Sequence, residues 1–342
     1  MVEPSSAQVT ATALGEWPGT DPLEATRVVR GELGDPHLPH LVSLPGRGVG
    51  SDAVGRTAAI LVELPVDVQP HGWRLVDRPG KDHRRAVSAL STDLNVLGDV
   101  IGAESEPAPA LKIHLRGPLS LAANLHLHSG ERALLDVGAR REIRDSLAAG
   151  AADLVSRVRS AASGALVQVQ LDEPEIAFVL AGGVPTASGY RTLRAVPDQE
   201  AADAWDTVAE AVRAAGGGTV AVSFPAERAP LDVLATSNIT AVALPLAGLS
   251  MAQWESLAGQ LEAGGELWAG IMPDPRAVPT VSALAGAVLS PWRMLGLPLN
   301  RLAQLRLTPD TGLAGVSPAA AANILRRLTQ TADALNQEMA ND

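Results

Sequence analysis

The chain has 342 residues, 46% of them hydrophobic and 19% charged, the composition of a folded protein and not of a disordered one. A formal net charge of −11 argues against nucleic acid as a partner, because neutralising phosphates needs a basic surface. Cysteine is absent, which excludes disulfides, a thiolate nucleophile and any Cys-ligated zinc or iron–sulfur site.

Residues 1–8 are expected to be a disordered tail, and residues 9–340 one domain. The opening MVEPSSAQVTAT lacks the basic and apolar regions of a signal peptide, and no run of eighteen apolar residues occurs. A cytoplasmic protein without a membrane partner is therefore expected.

Val9–Leu14 is expected as the first strand, closed by Gly15. Glu16, Trp17 and Pro18 form a loop before the helix TDPLEATRVVRGEL, which Asp21 caps and Pro22 opens. A short strand, Leu41–Leu44, runs into PGRGVG, and a helix follows from about Asp52 to Leu64. VDVQPHGWRLV is a third extended region. Val87, Leu90, Leu94, Leu97 and Ile101 repeat at helical spacing and predict a helix over His83–Ile101. Leu111, Ile113 and Leu115 alternate into a fourth strand ending at Arg116, with a long helix expected from near Glu131 to Ala162.

The fifth strand lies in LVQVQLDEPEIAFVL, Leu166–Leu180. Val167, Val169 and Leu171 alternate with Gln168 and Gln170, the period of a strand. Asp172 and Glu173 end it, and Pro174 opens the way to a helix containing Ile176, Phe178 and Val179. Two acids at the carboxyl end of a parallel strand stand where α/β proteins place their chemistry. Each is also suited to cap a helix. Both readings stand at this point.

Helix Glu200–Ala215, strand Gly218–Phe224, helix Leu231–Ala235 and strand Ile239–Leu246 follow. Helix Met251–Ala263, strand Leu267–Met272, helix Thr280–Leu289, strand Gln304–Thr308 and a helix from Pro318 to about Met339 complete the chain. About eight strands alternating with helices predict an α/β fold, a single (β/α)8 TIM-type barrel. A doubly wound open sheet is the alternative.

Other motifs carry less. Gly46–Gly50, GRGVG, with Asp67 beyond it, has the outline of a phosphate loop, but Ser51 replaces the third glycine and Asp52 would oppose a pyrophosphate. It reads as a flexible loop. His126 and His128 have no third metal ligand at suitable spacing, and no serine sits in a nucleophile-elbow context.

GEWPGT early in the chain, GPLS at Gly117–Ser120 and QLDEP at Gln170–Pro174 together resemble the catalytic domain of cobalamin-independent methionine synthase, a barrel related to uroporphyrinogen decarboxylase. The resemblance implies that Gly15, Glu16, Trp17 and Pro18 hold an amino-acid backbone, where the family has a small hydroxyl residue in place of Glu16. It implies that Asp172 receives a substrate ammonium and that Ser120 lies in a turn on the folate side. The family's second acid falls near Arg47 or Val49, where this chain has no carboxylate.

The family's zinc ligands fall on Val222, Phe224, Leu246 and Thr311, none of which binds zinc. The resemblance alone implies a 5-methyltetrahydrofolate–homocysteine S-methyltransferase of methionine biosynthesis, yet that chemistry needs zinc to hold a thiolate. The expected protein is a divergent or non-catalytic relative with no metal and no cofactor. It is expected to bind a small amino-acid-like or anionic ligand through Asp172, Glu173, Glu16, Trp17, Arg74, Arg116 and Ser120. The alternative is a metal-independent enzyme of decarboxylase type, with Arg47, Arg74, Arg78 and Arg116 converging on substrate carboxylates. Converging arginines favour the second reading, and dispersed arginines the first. Oligomeric state is left open.

Overall fold

A computed structural model of the chain describes residues 8–162 and 164–341, so most of the expected tail, 1–8, lies outside the described residues. Among the described residues nine strands form: β1 Thr10–Ala11, β2 Val66–Gln69, β3 Gly72–Leu75, β4 Ala110–Arg116, β5 Leu166–Asp172, β6 Val220–Ser223, β7 Ala241–Pro245, β8 Glu266–Gly270 and β9 Leu305–Thr308. Seven of them make one parallel, curled sheet in the order β1-β9-β8-β7-β6-β5-β4. Each strand from β4 to β8 pairs with its successor in sequence, with helices between, so the order never reverses. A doubly wound sheet requires such a reversal, and that alternative is set aside.

Two expected barrel strands behave differently. The third extended region folds into an antiparallel hairpin, β2–β3, turning at Pro70 and His71 just before Gly72 (φ +121°), and stays out of the main sheet. Leu41–Leu44 forms no strand ladder. The segment 38–43 lies between β1 and β4, held by isolated bridges: Leu38 N–H to Ala11 O (2.9 Å), Ser43 N–H to Gly15 O (3.0 Å), and Leu41 N–H to Lys112 O (2.8 Å). Pro39 removes one N–H inside the segment, and Pro36 and Pro45 flank it. The expected eight-stranded closed barrel is thus a seven-stranded half-barrel, its gap spanned by irregular chain.

The helices follow the predicted pattern, with shifted ends. Helix Pro22–Glu32 is capped by Asp21, Lys81–Gly102 matches its apolar repeat, and the one expected from Asp52 is only Ala53–Ala58. GPLS opens a helix of its own, Pro118–Asn124, before Val137–Ala161. Among the described residues, no helix is long and apolar enough to cross a membrane.

The strand alternation divides two environments. Leu111, Ile113, Val167, Val169, Val222 and Leu307 face the helices and join the main hydrophobic core. The other half of the alternation lines the concave side, where Trp268 packs against Leu38, Ala221, Ala241 and Ala243. Small residues on β6 and β7 make the room that this indole fills. Polar side chains share that side. Arg306 lies 5.2 Å from the Trp268 ring and donates to Gln168 Oε1 (2.8 Å), and Lys112 lies 5.5 Å from the same ring.

A buried charge cluster ties this frame together. Asp93, on helix Lys81–Gly102, accepts two hydrogen bonds from Arg47 (both 2.8 Å) and a short one from Arg56. Arg56 also donates to Val42 O (3.0 Å), anchoring the irregular 38–43 segment.

Candidate functional site

A cavity of about 580 Å³ opens at the carboxyl ends of the strands. Its volume lies within the ordinary range for small-molecule sites. Strand ends supply Arg116 from β4, Asp172 from β5, Ser223 from β6, Pro245 from β7 and Thr308 from β9. Glu16 follows β1 and Asp310 follows β9, while Phe224, Leu244 and Pro309 give an apolar wall.

Asp172 and Glu173 have divided tasks. The pleat sends adjacent side chains to opposite faces, so only one of the two can reach the concave side. Asp172 lines the cavity and accepts from Gln170 Nε2 (2.6 Å). Glu173 is fully buried and accepts from Leu119 N–H (3.1 Å), Ser120 N–H (2.7 Å) and Trp205 Nε1–H (3.1 Å). It therefore caps the helix Pro118–Asn124, one chain segment away from its own. Gly117 is required there, since a Cβ at that position would stand 2.4 Å from the Glu173 carboxyl.

GEWP works with a residue that the sequence did not single out. Gly15 has φ +124°, and a Cβ on it would lie 2.1 Å from His114 Nδ1. The imidazole packs against this glycine and lines the cavity, with Glu16 beside it. His114 is 9% exposed and its Nδ1 has no hydrogen-bond partner. Burial, with Lys112 and Arg56 nearby, holds its pKa well below the usual histidine value, so the ring is neutral.

Lys112 lies fully buried beneath the cavity, donating to Ala13 O and to Gln170 Oε1 (2.6 Å). An ammonium has no acceptor, so it fixes the Gln170 amide with its oxygen toward Lys112 and its NH₂ toward Asp172. Burial pushes the Lys112 pKa down to about 7, partly offset by Asp172. Burial raises Asp172 to about 6, against the lowering effects of Gln170, Lys112 and Arg116. Asp310, oriented by Met272 N–H (2.8 Å), is likewise raised to about 6 by burial, and burial also raises Glu16.

These shifts have a sign for stability. Asp172 and Asp310 hold protons in the folded state that the unfolded chain releases above its ordinary pKa of 3.8. Their stabilisation is full below that value and is lost as pH rises through about 6. The difference in unfolding free energy between wild type and Asp172→Asn/Asp310→Asn should therefore change between pH 4 and 6.5, with wild type losing ground as pH rises. Parallel urea-denaturation profiles across that range would show the shifts to be absent.

The other expected site residues lie elsewhere. Trp17 is 2% exposed and packs in the main core. Ser120 is buried, its hydroxyl accepting from Glu175 N–H (3.2 Å). Arg74 sits in the β2–β3 hairpin opposite Asp67, Arg47 is held by Asp93, and Arg78 is exposed. Only Arg116 of the four candidate arginines lines the cavity. GRGVG meets neighbouring chain at its two ends, where a Cβ at Gly46 would meet Gly19 O at 2.8 Å and one at Gly50 would meet Ala86 at 3.0 Å, while Gly48 and Val49 between them are exposed. Asp67 accepts from Asp82 N–H (3.0 Å) at the start of helix Lys81–Gly102.

The four positions where the resemblance places zinc ligands bring no such ligand to the cavity. Phe224 and Thr311 line it, Val222 faces the outer core, and Leu246 is buried outside the lining. Among the described residues, no three His, Cys, Asp or Glu side chains are placed to hold a metal ion.

No protein-family model matches the chain, and no curated protein does. Solved structures do. A B12-independent methionine synthase from Shewanella sp. W3-18-1, in complex with selenomethionine, superposes with a TM-score of 0.63 at 12% identity, covering 98% of this chain and 99% of that one. A methyltransferase from Methanosarcina mazei gives a TM-score of 0.58 at 12% identity, covering 97% and 95%. At that identity the likeness is one of fold. The chain shares the α/β architecture of these two structures over 98% and 97% of its length.

Proposed function

We propose that the chain binds a small zwitterionic, amino-acid-like ligand at the carboxyl-end cavity, by a mode that uses no zinc. The observation that supports this is the pairing of Arg116 and Asp172, opposite each other on neighbouring strands and both lining the cavity. The guanidinium suits a ligand carboxylate, the carboxylate suits an ammonium, and an amino acid carries both on one carbon. The Shewanella structure of the same fold is itself a complex with an amino acid, selenomethionine.

The dispersal of Arg47, Arg74 and Arg78 away from the cavity weighs against decarboxylation of a polyanionic substrate. The donor set weighs against methyl transfer to a zinc-held thiolate. On this reading the protein is a divergent, non-zinc relative of the methionine synthase barrels.

Thermal shift with a panel of free L-amino acids and their decarboxylated amines tests the reading. A native-state ligand raises Tm by mass action. At least one amino acid should raise it, its amine should not, and added zinc should leave the shift unchanged. A shift that appears only with zinc, or equal shifts from amine and amino acid, would refute it.

A further inference from the structure

The amino-acid reading uses Arg116 and Asp172 and leaves the opposite side of the cavity unexplained. Four carboxylates line the cavity, Glu16, Asp172, Glu227 and Asp310, against one guanidinium, Arg116. Lys112 does not reach it, being fully buried on Ala13 O and Gln170. No ion pair among the described residues includes Glu16, Asp172 or Asp310.

Glu16 and Asp310 form a second pole. They follow β1 and β9, which are neighbours in the sheet, and Leu313 N–H bonds Glu16 O (3.2 Å). Glu16 lies against Gly312, where a Cβ would stand 2.6 Å from its Oε2. Asp310 is aimed by Met272 N–H. His114 adds a neutral ring, nine-tenths buried, that lines the cavity while its unpartnered Nδ1 packs on Gly15. Arg116 stands near Glu16 as well as Asp172, so one guanidinium is shared among the carboxylates of the cavity, and Asp310 has no cation of the protein beside it.

We infer that the ligand is a basic amino acid, its α-ammonium and carboxylate held at Asp172 and Arg116 and its side-chain cation at Glu16 and Asp310. The apolar wall of Phe224, Leu244 and Pro245 suits the methylenes between the two ends. This rests on the amino-acid reading and narrows it, since a neutral amino acid would leave the second pole uncompensated.

Lysine and norleucine differ by the terminal ammonium and decide the matter. Calorimetric titration at pH 7.5 should give lysine an affinity at least about tenfold above norleucine, the least expected of a charge-assisted contact. Asp310→Asn keeps the oxygen that accepts from Met272 N–H and should bring the lysine-to-norleucine ratio close to one. Norleucine binding as well as lysine would overturn the inference and leave the amino-acid reading standing. An unchanged ratio in folded Asp310→Asn would overturn the assignment of the second pole. No binding of either, nor of any amino acid in the panel, would remove both.

Discussion

Asp93→Ala should lower the unfolding free energy by about 3–5 kcal/mol, a large share of the 5–15 kcal/mol typical of a whole domain. Asp93 is 1% exposed and is the shared acceptor for Arg47 and Arg56. Removing it leaves Arg56, itself 5% exposed, as a charge with only Val42 O for a partner. Burial already lowers the Arg56 pKa, and Asp93 is what opposes that shift. The loss should spread beyond the helix, because the cluster anchors the 38–43 segment across the gap between β1 and β4. Arg47→Ala should cost less, since Arg47 is the more exposed partner and its loss leaves the Arg56–Asp93 pair intact. Guanidinium denaturation measures both. A loss below about 1 kcal/mol for Asp93→Ala would mean that the arginines reach water and the cluster behaves as a surface pair.

Glu173→Ala and Asp172→Asn should separate stability from binding. Glu173→Ala strips the acceptor from three N–H groups in a fully buried place. At about 1–3 kcal/mol for each unsatisfied group, partly recovered by relaxation, the expected loss is about 3–5 kcal/mol. Glu173→Gln should not rescue it fully, because the amide NH₂ would face the donors that the second oxygen now satisfies. Asp172→Asn keeps an oxygen for Gln170 Nε2 and removes a charge that burial disfavours, so stability at neutral pH should not fall. Its effect belongs to the ligand: loss of a charge-assisted contact should weaken amino-acid affinity by about 10- to 100-fold. Denaturation curves and titration calorimetry on the two variants give four numbers. A Glu173 variant of unchanged stability, or an Asp172 variant of unchanged affinity, would reverse the division of labour.

What the sequence determined by itself was the alternation of elements and the end of the chain's strands where chemistry belongs. The period-two pattern of LVQVQLD and the 3.6-residue spacing of Val87 to Ile101 are local signals, written in neighbouring residues, and both elements form where they predict. The polar half of L-K-I-H-L-R and of V-Q-V-Q-L-D was also legible, and it marks the concave face. Its meaning was not, because no local signal shows whether the second face of a strand meets water, helices or the inside of a curled sheet.

Tertiary structure alone decided three things. It sent Asp172 and Glu173 to opposite faces, which the pleat requires but sequence cannot orient. It placed Glu173 on a helix that starts 55 residues earlier, at Pro118. And it brought Glu16, His114, Arg116, Asp172 and Asp310 to one cavity from strands far apart in the chain. VDVQPHGWRLV and Leu41–Leu44 were misplaced as barrel strands for the same reason. Extended conformation is a local property of the backbone, whereas membership of a sheet depends on which strand edge offers its hydrogen bonds, and only the folded chain settles that.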